Sequence, residues 1–313
     1  MDAEDNWSWP QRPTSDVEFD QMMESADKHL AALGMPPHQR SLRASRLVAI
    51  ALQLDLMPII NRTIQRGEPF SQNDLGARII DWYRDNYGER NKVNFSPGSV
   101  VLNLDGSLWR ISYPRIFGTV ELFISRDLSE GAPGNVIARA PPRSNVLRTV
   151  KDLTQRRADR LTDFQLFFIW NFWHAGYHAI ETLENLHGHD LFDQARGDYR
   201  LAVDTLMDGH PLNSVRWNTA QCAEKIIKGL LARAGKTYPK GGPNAHDIPH
   251  LGQLLRDHLS IDVANSLLAA IKCPPSVRYG EINVDANEAW TAHRSLIDML
   301  LTLAPHVLPP FPR

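Results

Sequence analysis

The chain has 313 residues, 42% of them apolar, with 34 basic and 36 acidic side chains for a formal charge of -2. That length suits two domains with separate cores, and the balanced charge excludes an overall pull toward nucleic acid, so any such contact needs a local patch. The only cysteines, Cys222 and Cys273, exclude a disulfide framework and a paired metal motif, which favours a reducing cytoplasm.

Residues 1–15 are acidic, with Trp7 and Trp9 but no apolar run, and read as a loose arm rather than a signal peptide. Residues 16–33 form a helix stopped by Gly34 and Pro36-Pro37. Leu42, Leu47, Ile50, Ala51 and Leu54 predict a second over 41–60, and Leu75, Ile79, Trp82 and Tyr83 a third over 69–87. The texture then changes. Residues 99–104 and 107–113 read as strands around an Asp105-Gly106 turn, and 118–124 as a third strand, giving an antiparallel meander on the helices before it.

Residues 131–143, with three prolines and two glycines, are a loop. The next stretch, 145–160, reads as a basic helix carrying Arg148, Lys151, Arg156, Arg157 and Arg160. It is either a solvated face or a nucleic-acid contact. The most apolar window, 164–173, is about ten residues long, short of the ~20 that span a bilayer, so a soluble protein is expected. It belongs to a helix over 163–186 that would pack between the two halves. Its His174 and His178 share a side, with His187 and His189 behind them. These histidines are accounted for by packing and helix ends, and neither metal nor cofactor is expected.

After a link at 187–196, helical stripes dominate. One runs over 197–208. A longer one, 214–235, begins at an Asn213 or Ser214 cap and stops at Gly235, with Ala223, Ile226, Ile227, Leu230 and Leu231 on one face and Gln221, Glu224, Lys225 and Lys228 on the other. Asp247 caps a helix bearing Leu251, Leu254, Leu255 and Leu259. Asp262 caps another, ended by Pro274-Pro275, and the last covers 287–304. The expected fold is α+β overall, mostly α. It comprises an arm and helix at 1–40, an α+β domain at 41–160, a connecting helix at 161–196, and a helical bundle at 197–313.

Within that bundle, Ala223-Glu224-Lys225 in the long helix, His246-Asp247 before a leucine helix, and Arg278-Tyr279 ahead of the final helix resemble the HEPN family of small all-α domains over about residues 197–307. The resemblance implies nucleotide binding beside a nucleotidyltransferase partner, or RNA cleavage as a dimer, in a prokaryotic defence, toxin-antitoxin or stress setting. It also implies a homodimer, with Trp290 and His293 at its seam. Nucleolytic members place a His after their Arg with four to six residues between. Arg278 is followed there by Asn283, Val284 and Asp285.

Lys225, Lys228, His246, Asp247, Arg278 and Tyr279 are therefore the candidate ligand-binding residues. The cations would hold phosphate, and Tyr279 or Trp217 would stack on a base. Each has a plainer role: Asp247 as a cap, Glu224 paired with Lys228, Tyr279 in the core, Arg278 tied to Glu224 or Asp247. Three functions follow. The first is a nucleotide- or RNA-binding module whose N-terminal domain selects a partner protein or substrate. The second is a metal-independent endoribonuclease in which His246 or His250 replaces the missing His. The third is a dimerisation scaffold.

Overall fold

The computed structural model describes residues 6–54, 67–91, 96–116, 118–132, 134 and 141–308, the side chains of 89 and 243 excepted. The chain divides into two compact units, Met1–Asn94 and Phe95–Arg313. The boundary falls at 94/95 rather than at 40, 160 or 196 because each unit closes one continuous apolar core.

The first unit holds α1 (Asp16–Ala32), α2 (Pro37–Ala51) and α3 (Gln72–Tyr87). Ser15 and Ser71 cap α1 and α3, and Pro37 opens α2 at its first turn, where a missing N–H costs nothing. The expected helix over 41–60 thus starts earlier, and residues 55–60 lie outside those described. Met22, Met23, Leu30, Leu47, Ile79 and Tyr83 fill the core. Trp7 joins it and donates to Ser25 Oγ (3.2 Å), so the described part of the arm, from residue 6, is fastened rather than loose. Around the buried Asp27, Arg40 Nη1 reaches both carboxylate oxygens at 3.3 Å and the Tyr87 hydroxyl donates at 2.5 Å.

The second unit opens with the hairpin β1 (Gly98–Leu104) and β2 (Ser107–Tyr113), paired Gly98 to Tyr113. Its turn residues Asp105 and Gly106 have φ of 52° and 79°, the pair of positive angles that lets strands leave with the right twist. The hairpin packs on α5 (Asp163–Glu184), α6 (Asp190–Asp208) and α11 (Ala286–Val307), which follow it in sequence. Gly176 permits the approach of α5, since a Cβ there would collide with the Tyr113 hydroxyl, which donates to Trp173 O at 3.0 Å. So α5 lies inside the second core and is no connector.

The third expected strand does not extend the hairpin. β3 (Glu121–Phe123) pairs in parallel with β5 (Arg143–Asn145), and β4 (Gly131–Ala132) lies antiparallel on the other side of β5. The fully buried Asn145 fixes this arrangement: its amide donates to Ser125 O (2.8 Å) and Asp127 O (3.0 Å) and accepts from Ser125 N. The basic helix expected over 145–160 is also broken. A 3-10 turn at Val146–Thr149 is followed by a bridge from Val150 to Ile111, a left-handed Asp152 (φ 61°), and only a short α4 (Gln155–Ala158).

The bundle consists of α6, α7 (Leu212–Arg233), α8 (Ile248–Leu259), α9 (Asn265–Ile271), α10 (Pro275–Arg278) and α11. No strand interrupts residues 218–272. Three caps differ from expectation. α7 starts at Leu212, because Asn213 is used elsewhere; Asp247 precedes α8 without a side-chain capping bond; and Ala264, not Asp262, precedes α9, while Asp262 accepts from Arg256 Nε at 2.8 Å. Among the described residues no helix is long and apolar enough to cross a membrane.

Candidate functional site

The candidate residues are organised by α7. Trp217, Gln221, Glu224 and Lys228 recur at four, three and four residues, which places them on one stripe of the helix. Gln221, on the polar face of the helix, donates to Glu224 Oε2 at 3.4 Å.

Glu224 is the hub of the middle of this stripe. It is buried, and Lys228 Nζ donates to its Oε1 at 2.6 Å, the one-turn pairing that the spacing suggested. Lys228 is buried as well and sits 5.8 Å from the centre of the Tyr238 ring. Its charge is therefore matched within the fold and not offered to solvent. Across the loop that follows α7, His246 Nδ1 lies 3.1 and 3.0 Å from the two Glu224 oxygens. A carboxylate only accepts, so Nδ1 carries the hydrogen and the Nε2 of a neutral ring is left as a lone-pair acceptor. The His246 side chain is 68% exposed.

About two turns toward the start of α7, the chemistry is different. Asn213 Nδ2 donates to Val277 O (2.8 Å) and Ile282 O (2.9 Å), pinning the α10 turn against the first residues of α7. Arg278 is carried by that turn. Its guanidinium carbon is 4.5 Å from the centre of the Trp217 ring and 5.7 Å from that of Tyr279. Tyr279 is 70% exposed, which excludes a core role. Among the described residues Arg278 makes no ion pair, and neither carboxylate considered for it is available: Glu224 holds Lys228 and His246, while Asp247 Oδ1 lies 3.1 Å from Lys272 Nζ. Trp217 and Glu224 are seven positions apart, so the two clusters are separated by ~10 Å along the helix axis.

Lys225 and Asp247 stand apart from both clusters in their contacts. Lys225 Nζ donates to Asp198 Oδ2 at 2.5 Å, joining α7 to α6. Lys272 reaches Asp247 because Arg216 donates to Ala270 O (2.5 Å) and Lys272 O (2.8 Å), closing the end of α9. The structure thus brings His246 and Lys228 together through Glu224, and Arg278 and Tyr279 together through Trp217.

The expected dimer seam is occupied within the chain. Trp290 Nε1 donates to Val101 O at 3.2 Å, and His293 is fully buried, its ring 5.5 Å from that of Tyr199. Among the described residues, neither His293 nitrogen has a hydrogen-bond partner. Burial lowers its pKa to about 4, with the neighbouring Arg294 charge acting in the same direction. Of the α5 histidines, His174 packs between the rings of Trp170 and Trp173, and burial, then His178, lowers its pKa. His189 caps α6 by accepting from Leu191 N. Among the described residues no group of three or more His, Cys, Asp or Glu is arranged to hold a metal ion.

Compared with known proteins, the chain matches no family model, and no curated protein or solved structure is significantly similar to it.

Proposed function

We propose that the second unit carries a HEPN-like module that binds a nucleotide or RNA segment along α7. The observation that carries this reading is Arg278: an exposed guanidinium without a carboxylate partner among the described residues, set between an indole and an exposed phenol. A planar cation reads a phosphate with two parallel donors, and a nearby exposed ring offers a base a stacking surface. The family analogy adds the rest of the proposal: a homodimer, a role in prokaryotic defence, toxin-antitoxin or stress response, and a partner protein met through the N-terminal unit. Fluorescence anisotropy with labelled single-stranded RNA, and competition by ATP, tests the site. Arg278→Ala is expected to lose binding at an unchanged melting temperature; unchanged affinity ends the proposal.

A second reading is favoured by one observation, the Glu224–His246 contact, in which a buried carboxylate holds an imidazole with its other nitrogen outward. That is the arrangement a general base needs. Here the protein is a metal-independent endoribonuclease in which His246 takes the proton of a 2′-hydroxyl and that oxygen attacks the adjacent phosphorus. The bond to the 5′-oxygen breaks as that oxygen takes a proton from water, while Arg278, ~10 Å along α7, holds a neighbouring phosphate of the strand. Incubation with mixed RNA and EDTA distinguishes the two readings. Cleavage lost in both His246→Ala and Arg278→Ala supports the enzyme, and intact RNA leaves the binding module.

A further inference from the structure

A second cluster of cations lies outside the α7 face. Arg115, Arg148 and Lys151 line an open surface cavity of about 510 Å³ together with Ser96, Ser112 and Thr149. Its frame is rigid for local reasons. Lys151 N donates to Arg110 O at 2.8 Å, and Val150 bridges to Ile111, so the segment bearing Arg148 and Lys151 is stitched to β2. Thr149 is held from both sides, donating to Val146 O (2.7 Å) and accepting from Trp173 Nε1 (2.9 Å). The break in the basic stretch is what turns these side chains toward the hairpin instead of spreading them around a helix.

The charges do not cancel. Arg148 and Lys151 make no ion pair among the described residues, and Arg115 has only Glu184 Oε2 at 4.0 Å, with its side chain half exposed. Arg148 Nη1 lies against Gly131, where a Cβ would stand 3.2 Å from it. Three like charges around one concavity, with a single distant carboxylate, create a positive potential that a bound anion would relieve. Ser112 Oγ shares a hydrogen bond with Ser99 Oγ (3.2 Å) in which either hydroxyl can be the donor, and when Ser99 donates, the Ser112 hydrogen is free to meet an anion.

We propose that this cavity binds the phosphate group of a small molecule. Its volume falls in the range of small-ligand sites. Single-stranded nucleic acid is disfavoured because the one aromatic lining residue, Tyr113, is 1% exposed and offers no face to a base. The proposal does not depend on the reading of α7.

The test is calorimetric titration of the full chain with pyrophosphate and with ribose 5-phosphate at fixed ionic strength, chloride being the control. Both side chains to be changed are exposed, so an Arg148→Gln/Lys151→Gln variant should melt like the parent. It is expected to bind pyrophosphate at least about tenfold more weakly, while Arg278→Ala binds it as the parent does. Ribose 5-phosphate binding would identify a phosphomonoester ligand, and pyrophosphate alone an inorganic or diphosphate one. The proposal is overturned if neither probe binds beyond the chloride control or if the double variant retains parental affinity. It is equally overturned if the double substitution weakens labelled RNA in place of the small phosphates.

Discussion

The two ends of the α7 stripe use the same kinds of residues to opposite effect. Around Glu224 a cation, a carboxylate and an imidazole satisfy one another, and two of the three are buried. Around Trp217 a cation stands on aromatic rings, exposed and without a carboxylate among the described residues. The closed end should carry stability and the open end recognition, because a buried pair is costly to break whereas an exposed cation over a ring contributes little to folding.

The largest effect expected is at the closed end. Lys228→Met leaves the Glu224 carboxylate buried without its cation, with an exposed imidazole and the long Gln221 hydrogen bond remaining, and urea denaturation should record a loss of about 3–5 kcal/mol. Changing Glu224→Gln as well should recover much of it, since no buried charge then remains. A cost below about 1 kcal/mol would show that this end is solvated and erase the contrast.

His293 supplies the limiting case, a buried polar ring with no hydrogen-bond partner among the described residues. The unfolded chain takes up a proton below its ordinary pKa of 6.5, and the folded chain resists it until about 4. Stability is therefore complete above pH 6.5, declines through that window and levels off below it, by about 3 kcal/mol in all. His293→Leu should flatten this limb when denaturation midpoints are compared between pH 7.5 and 4. A parallel decline in both proteins would assign the acid sensitivity to other groups.

Two smaller effects sharpen the open end. Asn213→Ala removes both hydrogen bonds that pin the α10 turn, for about 1–2 kcal/mol. It should also weaken RNA binding, since the Arg278 turn would no longer be held over Trp217. Arg278→Ala itself should cost only about 0.5 kcal/mol. Arg278→Lys should restore the charge but not the affinity, because an ammonium lacks the planar fork. A melting curve shifted by several degrees in Arg278→Ala would place that residue with the closed end.

What could be read in advance was local. The stripe of α7, the Asp105-Gly106 turn and the Glu224-to-Lys228 spacing all depend on residues within a few positions of each other. Residues 145–160 misled because their arginines suit a helix; what breaks it is a bridge to Ile111 and the buried Asn145 amide, both partners of distant chain. The same holds in the site. Nothing near His246 signals that its ring will meet Glu224, 22 residues earlier, across a Pro/Gly loop. Nor could periodicity show that Lys228 would be buried and Arg278 left outside, because each outcome depends on which carboxylate the tertiary fold delivers.

The Asn213 clamp makes one segment of the chain a ring in all but covalent terms. Its amide grips carbonyls 64 and 69 residues away, and the span between holds the exposed Gly241-Gly242 bend. A backbone cut at that bend would leave both new ends anchored, one by the α6–α7 pairing and the other by α8, α9 and the clamp itself. The bend is thus the natural place to split the protein into two pieces that reassemble, or to insert a reporter that leaves both ends of the α7 stripe in register.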